Sequence, residues 1–105
     1  MVVRGAVHWV DLDKRRPCVV VSSEEVLRAE VWQTHVVPLT SNLDRAGLAG
    51  NVLLKAAATG LATDTVAVPI GLEPVDRSWL TEAVGQLPRA LTDAIDDGLR
   101  AVLSL

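Results

Sequence analysis

The chain has 105 residues and a mass of 11.2 kDa, enough for one hydrophobic core, so residues 1–105 are expected to form a single domain and multidomain architectures are excluded. Half of the residues are apolar, yet Phe and Tyr are absent and the only aromatics are Trp9, Trp32 and Trp79. The core must therefore be built mainly from Val (17), Leu (15) and Ala (13), the composition of a folded rather than a disordered chain. A formal charge of −3 argues against coating nucleic acid or an anionic membrane by charge alone.

The charge is unevenly spread. Residues 1–16 hold four bases against two acids, residues 17–72 three against five, and residues 73–105 three against six. Positive charge that could meet an anion is thus concentrated at Lys14-Arg15-Arg16. Cys18 is the only cysteine, so no internal disulfide or cysteine-based zinc site can form, and its apolar neighbours suit a buried, inert thiol. No apolar run approaches the roughly 18 residues that span a bilayer. Arg4 and Asp11 interrupt the place where a signal peptide would be apolar, and a soluble cytoplasmic protein with no membrane partner is expected.

The segment 7–12 is β-branched and aromatic and predicts a first strand; 18–22 predicts a second. So short a gap implies an antiparallel hairpin, with the basic cluster on its loop. Residues 23–30 fit either a single helical turn or an irregular excursion. Residues 31–39 predict a third strand, which delivers Thr40-Ser41-Asn42 at its end. A loop is expected over 44–50, a short strand over 51–54, and a loop over 56–60 because the alanine run is too short to nucleate a helix by itself. Residues 65–68 and 71–75 predict further strands, and Gly85 a turn or bulge. After Pro88, Leu91, Ile95, Leu99, Val102 and Leu103 make one apolar stripe on a helix. Five or six strands followed by one amphipathic helix predict a mainly β fold, a curved antiparallel sheet or partial barrel with the helix covering an open side.

Phosphate-cradling glycine loops, paired cysteines and His-x-x-x-His spacings are missing. Two features remain: an Arg before Pro at the entry of one strand, and Thr-Ser at the exit of another. A guanidinium presents a rigid donor fork that matches phosphate, and a hydroxyl adds one more hydrogen bond. His8 and His35 could alternatively form an acid–base pair for phosphodiester cleavage.

The order Arg4-Gly5-x-Val7-x-Trp9-Val10-Asp11-Leu12, Arg16-Pro17-x-Val19-Val20-Val21-Ser22, Val37-Pro38-Leu39-Thr40-Ser41 and Asn51-Val52-x-Leu54 resembles the MazF/PemK toxins of bacterial toxin–antitoxin modules. Later blocks continue the resemblance: Thr59-Gly60-Leu61, Asp64-Thr65-Val66-Ala67, Val75-Asp76-Arg77 and the closing helix with Ile95-Asp96. The resemblance implies a small SH3-like antiparallel barrel and a homodimer. It further implies a sequence-selective endoribonuclease that cuts single-stranded RNA without metal or cofactor and that does not bind DNA by itself. Arg16 and Thr40 are its implied catalytic pair, with Lys14, Arg15, Ser41 and Asn42 along the RNA path, and a cognate MazE-like antitoxin is the implied partner.

This sequence departs from the family pattern at three places: Ala6 stands where many members have Glu, only Asp13-Lys14-Arg15 separates Leu12 from Arg16, and Gly71-Leu72-Glu73 replaces a frequent Gln-Ile-Arg. These departures bear on RNA sequence preference and loop closure rather than on the identity of Arg16 and Thr40. Two other readings stay open: a degenerate paralogue that only binds an antitoxin, and a gyrase poison of related fold. The second is disfavoured because Arg100-Ala101-Val102-Leu103-Ser104-Leu105 lacks the aromatic-Gly-aliphatic tail of those poisons.

Overall fold

Alternation along the valine-rich segments explains the architecture of the computed structural model, which describes residues 2–105. β1 (Ala6–Asp11), β2 (Arg15–Val20) and β3 (Gln33–Thr40) form an antiparallel meander in which Val7 faces Val19, His8 faces Cys18, and Val19 faces Val37. Successive side chains of a strand point to opposite faces. Val7, Val19, Val21, Val37 and Leu39 therefore fall into one buried cluster, and Val10, Cys18, Val20 and Val36 into another. Because both faces of this meander are covered, its strands read as runs of valine rather than as apolar–polar alternation.

β3 is the hub. One edge pairs with β2; the other pairs first with β6 (Glu73–Asp76) through Gln33–Val36 and then with β5 (Thr65–Ala67) through Leu39 and Thr40. β4 (Val52–Leu54) extends the sheet beyond β5, and β7 (Gly85–Gln86) pairs with β1 at the far edge. The result is a curled, mainly β half-barrel of seven strands, one more than the five or six expected. The extra strand is the two-residue β7, formed where Gly85 predicts a turn or bulge. A Cβ on Gly85 would lie 2.1 Å from the Thr59 carbonyl oxygen, so glycine is required there by close approach of two backbones.

α1 (Glu24–Arg28) settles the form of 23–30. Ser23 Oγ accepts from the Val26 amide at 3.2 Å, with Glu24 and Glu25 in the first turn and Arg28 in the last. Two expected loops contain helical turns instead. Residues Leu43–Gly47 form a 3-10 turn capped by the Asn42 side chain, and Ala56–Thr59 form α2. The alanine run does not nucleate by itself. Asp64, eight residues on, accepts from the Ala56 amide at 2.8 Å, and Gly60 ends the turn in the left-handed conformation. Gly71, read as the start of a strand, instead closes the 3-10 turn Pro69–Gly71.

α3 (Arg89–Leu103) closes the open side as expected. Ile95 is fully buried in the first cluster and Leu91 and Leu99 pack beside it, whereas Leu103 at the end of the stripe is exposed. Arg4 joins this helix to the sheet, donating both to the Val21 carbonyl and to Asp96. Among the described residues no helix is long and apolar enough to cross a membrane.

Candidate active site

The hairpin joining β1 to β2 turns through residues 12–14, with the Leu12 amide donating to the Lys14 carbonyl at 3.2 Å and the Lys14 amide to Asp13 Oδ1 at 2.9 Å. The basic cluster is consequently split. Lys14 lies on the turn, whereas Arg15 and Arg16 are the first residues of β2, opposite Asp11 and Val10, and not on the loop as expected. Pro17 restricts Arg16 to extended backbone, and the β3 ladder begins only at Cys18, so the missing proline amide costs no hydrogen bond on that edge. Arg16 is exposed, and its guanidinium makes no ion pair or hydrogen bond among the described residues.

Thr40 ends β3 on the neighbouring strand, half-buried and opposite Val66. Its Oγ1 accepts from the Asn42 amide at 3.2 Å. That bond fixes the oxygen while leaving the hydroxyl hydrogen to donate elsewhere.

Arg16 and Thr40 meet in one open cleft of about 810 Å³, which Lys14, Ser41 and Arg45 also line. Apolar walls come from Trp9, Pro17, Pro38, Leu61 and Ile70. The lining includes three cations and several hydroxyls and no Asp or Glu. This is the complement of a phosphate ester: fixed donors, uncancelled positive charge and apolar surface for a sugar or base.

Two of the six residues read from sequence fall outside this lining. Arg15 lies with its guanidinium carbon 5.5 Å from the centroid of the Trp9 ring, a cation–π contact to a residue that lines the cleft. Asn42 is occupied structurally, its Oδ1 accepting from the Asp44 amide at 3.2 Å as cap of the 3-10 turn. Conversely, sequence reading missed Arg45 and Trp9. An Arg within a charged loop carries no signal until the turn that aims it is known. Neither imidazole reaches the cleft. His8 is buried and its Nδ1 donates to the Thr81 carbonyl at 2.7 Å, while His35 neighbours Ser22, so no histidine pair forms at this site.

Comparisons with known proteins bear on the family and the fold. A family model described as PemK-like, MazF-like toxin of type II toxin–antitoxin systems matches residues 3–103. Endoribonuclease MazF6 of Mycobacterium tuberculosis is 32% identical over 113 residues, covering 100% of this chain and 99% of the relative. Endoribonuclease MazF9 of the same organism is 32% identical over 120 residues, covering 100% and 98%. Among solved structures, M. tuberculosis toxin MazF-mt6 superposes with a TM-score of 0.83 at 25% identity over 95% of this chain and 97% of that one. A mycobacterial endoribonuclease in complex with its cognate antitoxin superposes with a TM-score of 0.87 at 23% identity, covering 100% and 97%.

Proposed function

The chain belongs to the PemK-like, MazF-like toxin family of type II toxin–antitoxin systems, and from that membership we propose that it is an endoribonuclease acting on single-stranded RNA. The observation that carries the reading is the meeting of Arg16 and Thr40 in a cationic cleft free of Asp and Glu. RNA supplies its own nucleophile, the 2′-hydroxyl. The protein's task is then to hold the phosphodiester in line and to stabilise the charge that grows on the phosphorane-like transition state. The 2′-hydroxyl gives its proton to water as its oxygen bonds to phosphorus, the bond from phosphorus to the 5′-oxygen of the next nucleotide breaks, and that oxygen takes a proton from water, leaving a 2′,3′-cyclic phosphate and a 5′-hydroxyl.

Arg16 holds the developing negative charge. With a pKa above about 12 a guanidinium is a weak base, so its electrostatic role outweighs proton abstraction. Thr40, its oxygen fixed by the Asn42 amide, donates to a phosphate oxygen or to the leaving oxygen. Lys14 and Ser41 lie along the RNA path in the same cleft. Residues 1–105 act as one toxin unit and pair as a homodimer, bringing two such clefts together. Cleavage of cytoplasmic RNA inhibits translation and growth until an antitoxin covers the cleft.

The test is incubation of the purified protein with mixed-sequence single-stranded RNA in EDTA, alongside Arg16→Ala and Thr40→Ala. Cleavage should persist in EDTA, fail in the variants, and fail when the 2′-hydroxyl beside the cut is replaced by hydrogen. Cleavage that survives Arg16→Ala, or that needs a metal ion, would refute the mechanism.

A further inference from the structure

Arg45 is the one cation of the cleft that lies outside the hairpin, and its placement differs from that of Lys14 and Arg16. In the sheet order β4-β5-β3-β2, Thr40 at the end of β3 has Arg16 on its β2 side. Arg45 belongs to the 3-10 turn Leu43–Gly47, which packs against β5 and β4, so it enters the cleft from the opposite side. β2 and β5 are two inter-strand spacings apart, about 10 Å.

The backbone of Arg45 is held firmly. Its carbonyl accepts from the Leu48 amide at 3.2 Å and from Asn51 Nδ2 at 3.0 Å, and the Asn42 side chain caps the start of the turn. Its guanidinium, by contrast, forms no ion pair among the described residues, not even with the adjacent Asp44. Lys55, Arg89 and Arg100 are each satisfied by a carboxylate: Asp64 at 3.5 Å, Asp93 at 4.0 Å and Asp97 at 2.7 Å. An unneutralised guanidinium that lines a cleft and is carried on a hydrogen-bonded turn is arranged for an anion that arrives from outside. Leu61 and Ile70 line the same cleft, apolar surface suited to a sugar or base and not to a phosphate.

We propose that Arg45 anchors a second phosphate, one flanking the phosphodiester held between Arg16 and Thr40, so that the cleft binds at least two linkages of one RNA strand. The proposal rests on the endoribonuclease reading and adds to it a substrate-binding residue that takes no part in the chemical step.

The test uses a short fluorescein-labelled single strand with 2′-O-methyl riboses, which lacks the attacking hydroxyl and stays intact during titration. Arg45→Ala should lower the slope of log K against log[NaCl] by about 0.7, the share of one phosphate on a single strand. It should also weaken binding about tenfold, as loss of one charge-assisted contact does. Arg45→Lys should restore most of the slope. On cleavable RNA, Arg45→Ala should raise KM while kcat stays within about twofold of wild type. A fall in kcat at constant KM would place Arg45 on the reacting phosphate and overturn the proposal, as would an unchanged slope and KM. If wild type cuts RNA, Arg16→Ala does not, and Arg45→Ala matches wild type, only the second anchor fails. If wild type neither binds nor cuts RNA, the endoribonuclease reading fails and the anchor with it.

Discussion

Arg16 and Cys18 stand two residues apart on the same face of β2 and meet opposite environments. Arg16 lies where the ladder to β3 has not begun and reaches solvent and the cleft; Cys18 opens that ladder and is 1% exposed. Arg16→Ala should therefore lower kcat by about 10²–10³, the usual effect of deleting one transition-state donor, and leave the thermal midpoint unchanged because the side chain supports nothing in the fold. Cleavage kinetics and a melting curve on the same preparation check both halves. Burial pushes the Cys18 thiol up to about 12, the nearby Glu73 carboxylate adding to the effect and the His8 backbone offsetting part of it. The folded state thus holds this proton more tightly than the unfolded chain does. Its contribution to stability is complete below pH 9 and is lost as pH rises toward 12. Between pH 9 and about 10.5, urea titrations should show wild type losing about 2 kcal/mol more than Cys18→Ala. Equal losses would mean that the thiol is not desolvated. At this scale Arg16, Thr40 and the inert thiol were legible because each sits beside an informative neighbour: Pro17, Ser41 and the valine run.

At the scale of elements, α3 illustrates where local preference and packing disagree. Within a helix, Gly98→Ala is favoured by propensity by about 1 kcal/mol. Here Gly98 is buried against the Gly50–Asn51 corner, and an added Cβ would stand 2.2 Å from the Gly50 carbonyl oxygen and 2.8 Å from the Pro69 ring. Backbone cannot yield as a flexible side chain can, so overpacking wins. Gly98→Ala should destabilise the protein by about 1–3 kcal/mol, read as a lower urea midpoint. A raised midpoint would show that the helix is free to shift away from β4. The apolar stripe of α3 was readable from spacing alone, but Gly98 was not, because its role is set by a corner 48 residues earlier in the chain. The same holds for α2, whose cap is supplied by Asp64, and for the turn at Leu43–Gly47, which the Asn42 side chain caps.

Across the whole molecule, the net charge of −3 coexists with a cleft whose titratable lining is entirely basic. Many of the acids are engaged elsewhere: Asp96 with Arg4, Asp64 with Lys55 and the Ala56 amide, Asp93 and Asp97 along α3, and Asp76, whose carboxyl is held below its ordinary value by the Ser78 amide and hydroxyl. This segregation lets an acidic protein bind a polyanion locally. With Lys14, Arg16 and Arg45 each meeting one phosphate, log K for single-stranded RNA should fall against log[NaCl] with a slope of about −2. A slope near zero would show that the cleft does not work by charge. Sedimentation at micromolar concentration should find a dimer, and a monomer there would remove the model of two clefts in one assembly. An antitoxin segment bearing acidic residues should compete with RNA for the cleft, measured by displacement of the labelled strand.

Legible in the amino-acid order were the type of each long element, the antiparallel hairpin, the terminal helix, the burial of Cys18 and, through the order of the motifs, the family. These follow from short-range rules: strand alternation, helical spacing, the restriction that proline places on the residue before it. Long-range packing, by contrast, turns Arg15 to Trp9 while Arg16 enters the cleft, makes Asn42 the cap of a turn and brings Arg45 to the same cleft as Arg16. It also decided that Gly85 and Gly98 are required by neighbouring backbone. Each of these depends on which strands lie side by side, and that is set by burial of both faces of the β1–β2–β3 meander and by contacts between residues far apart in the chain.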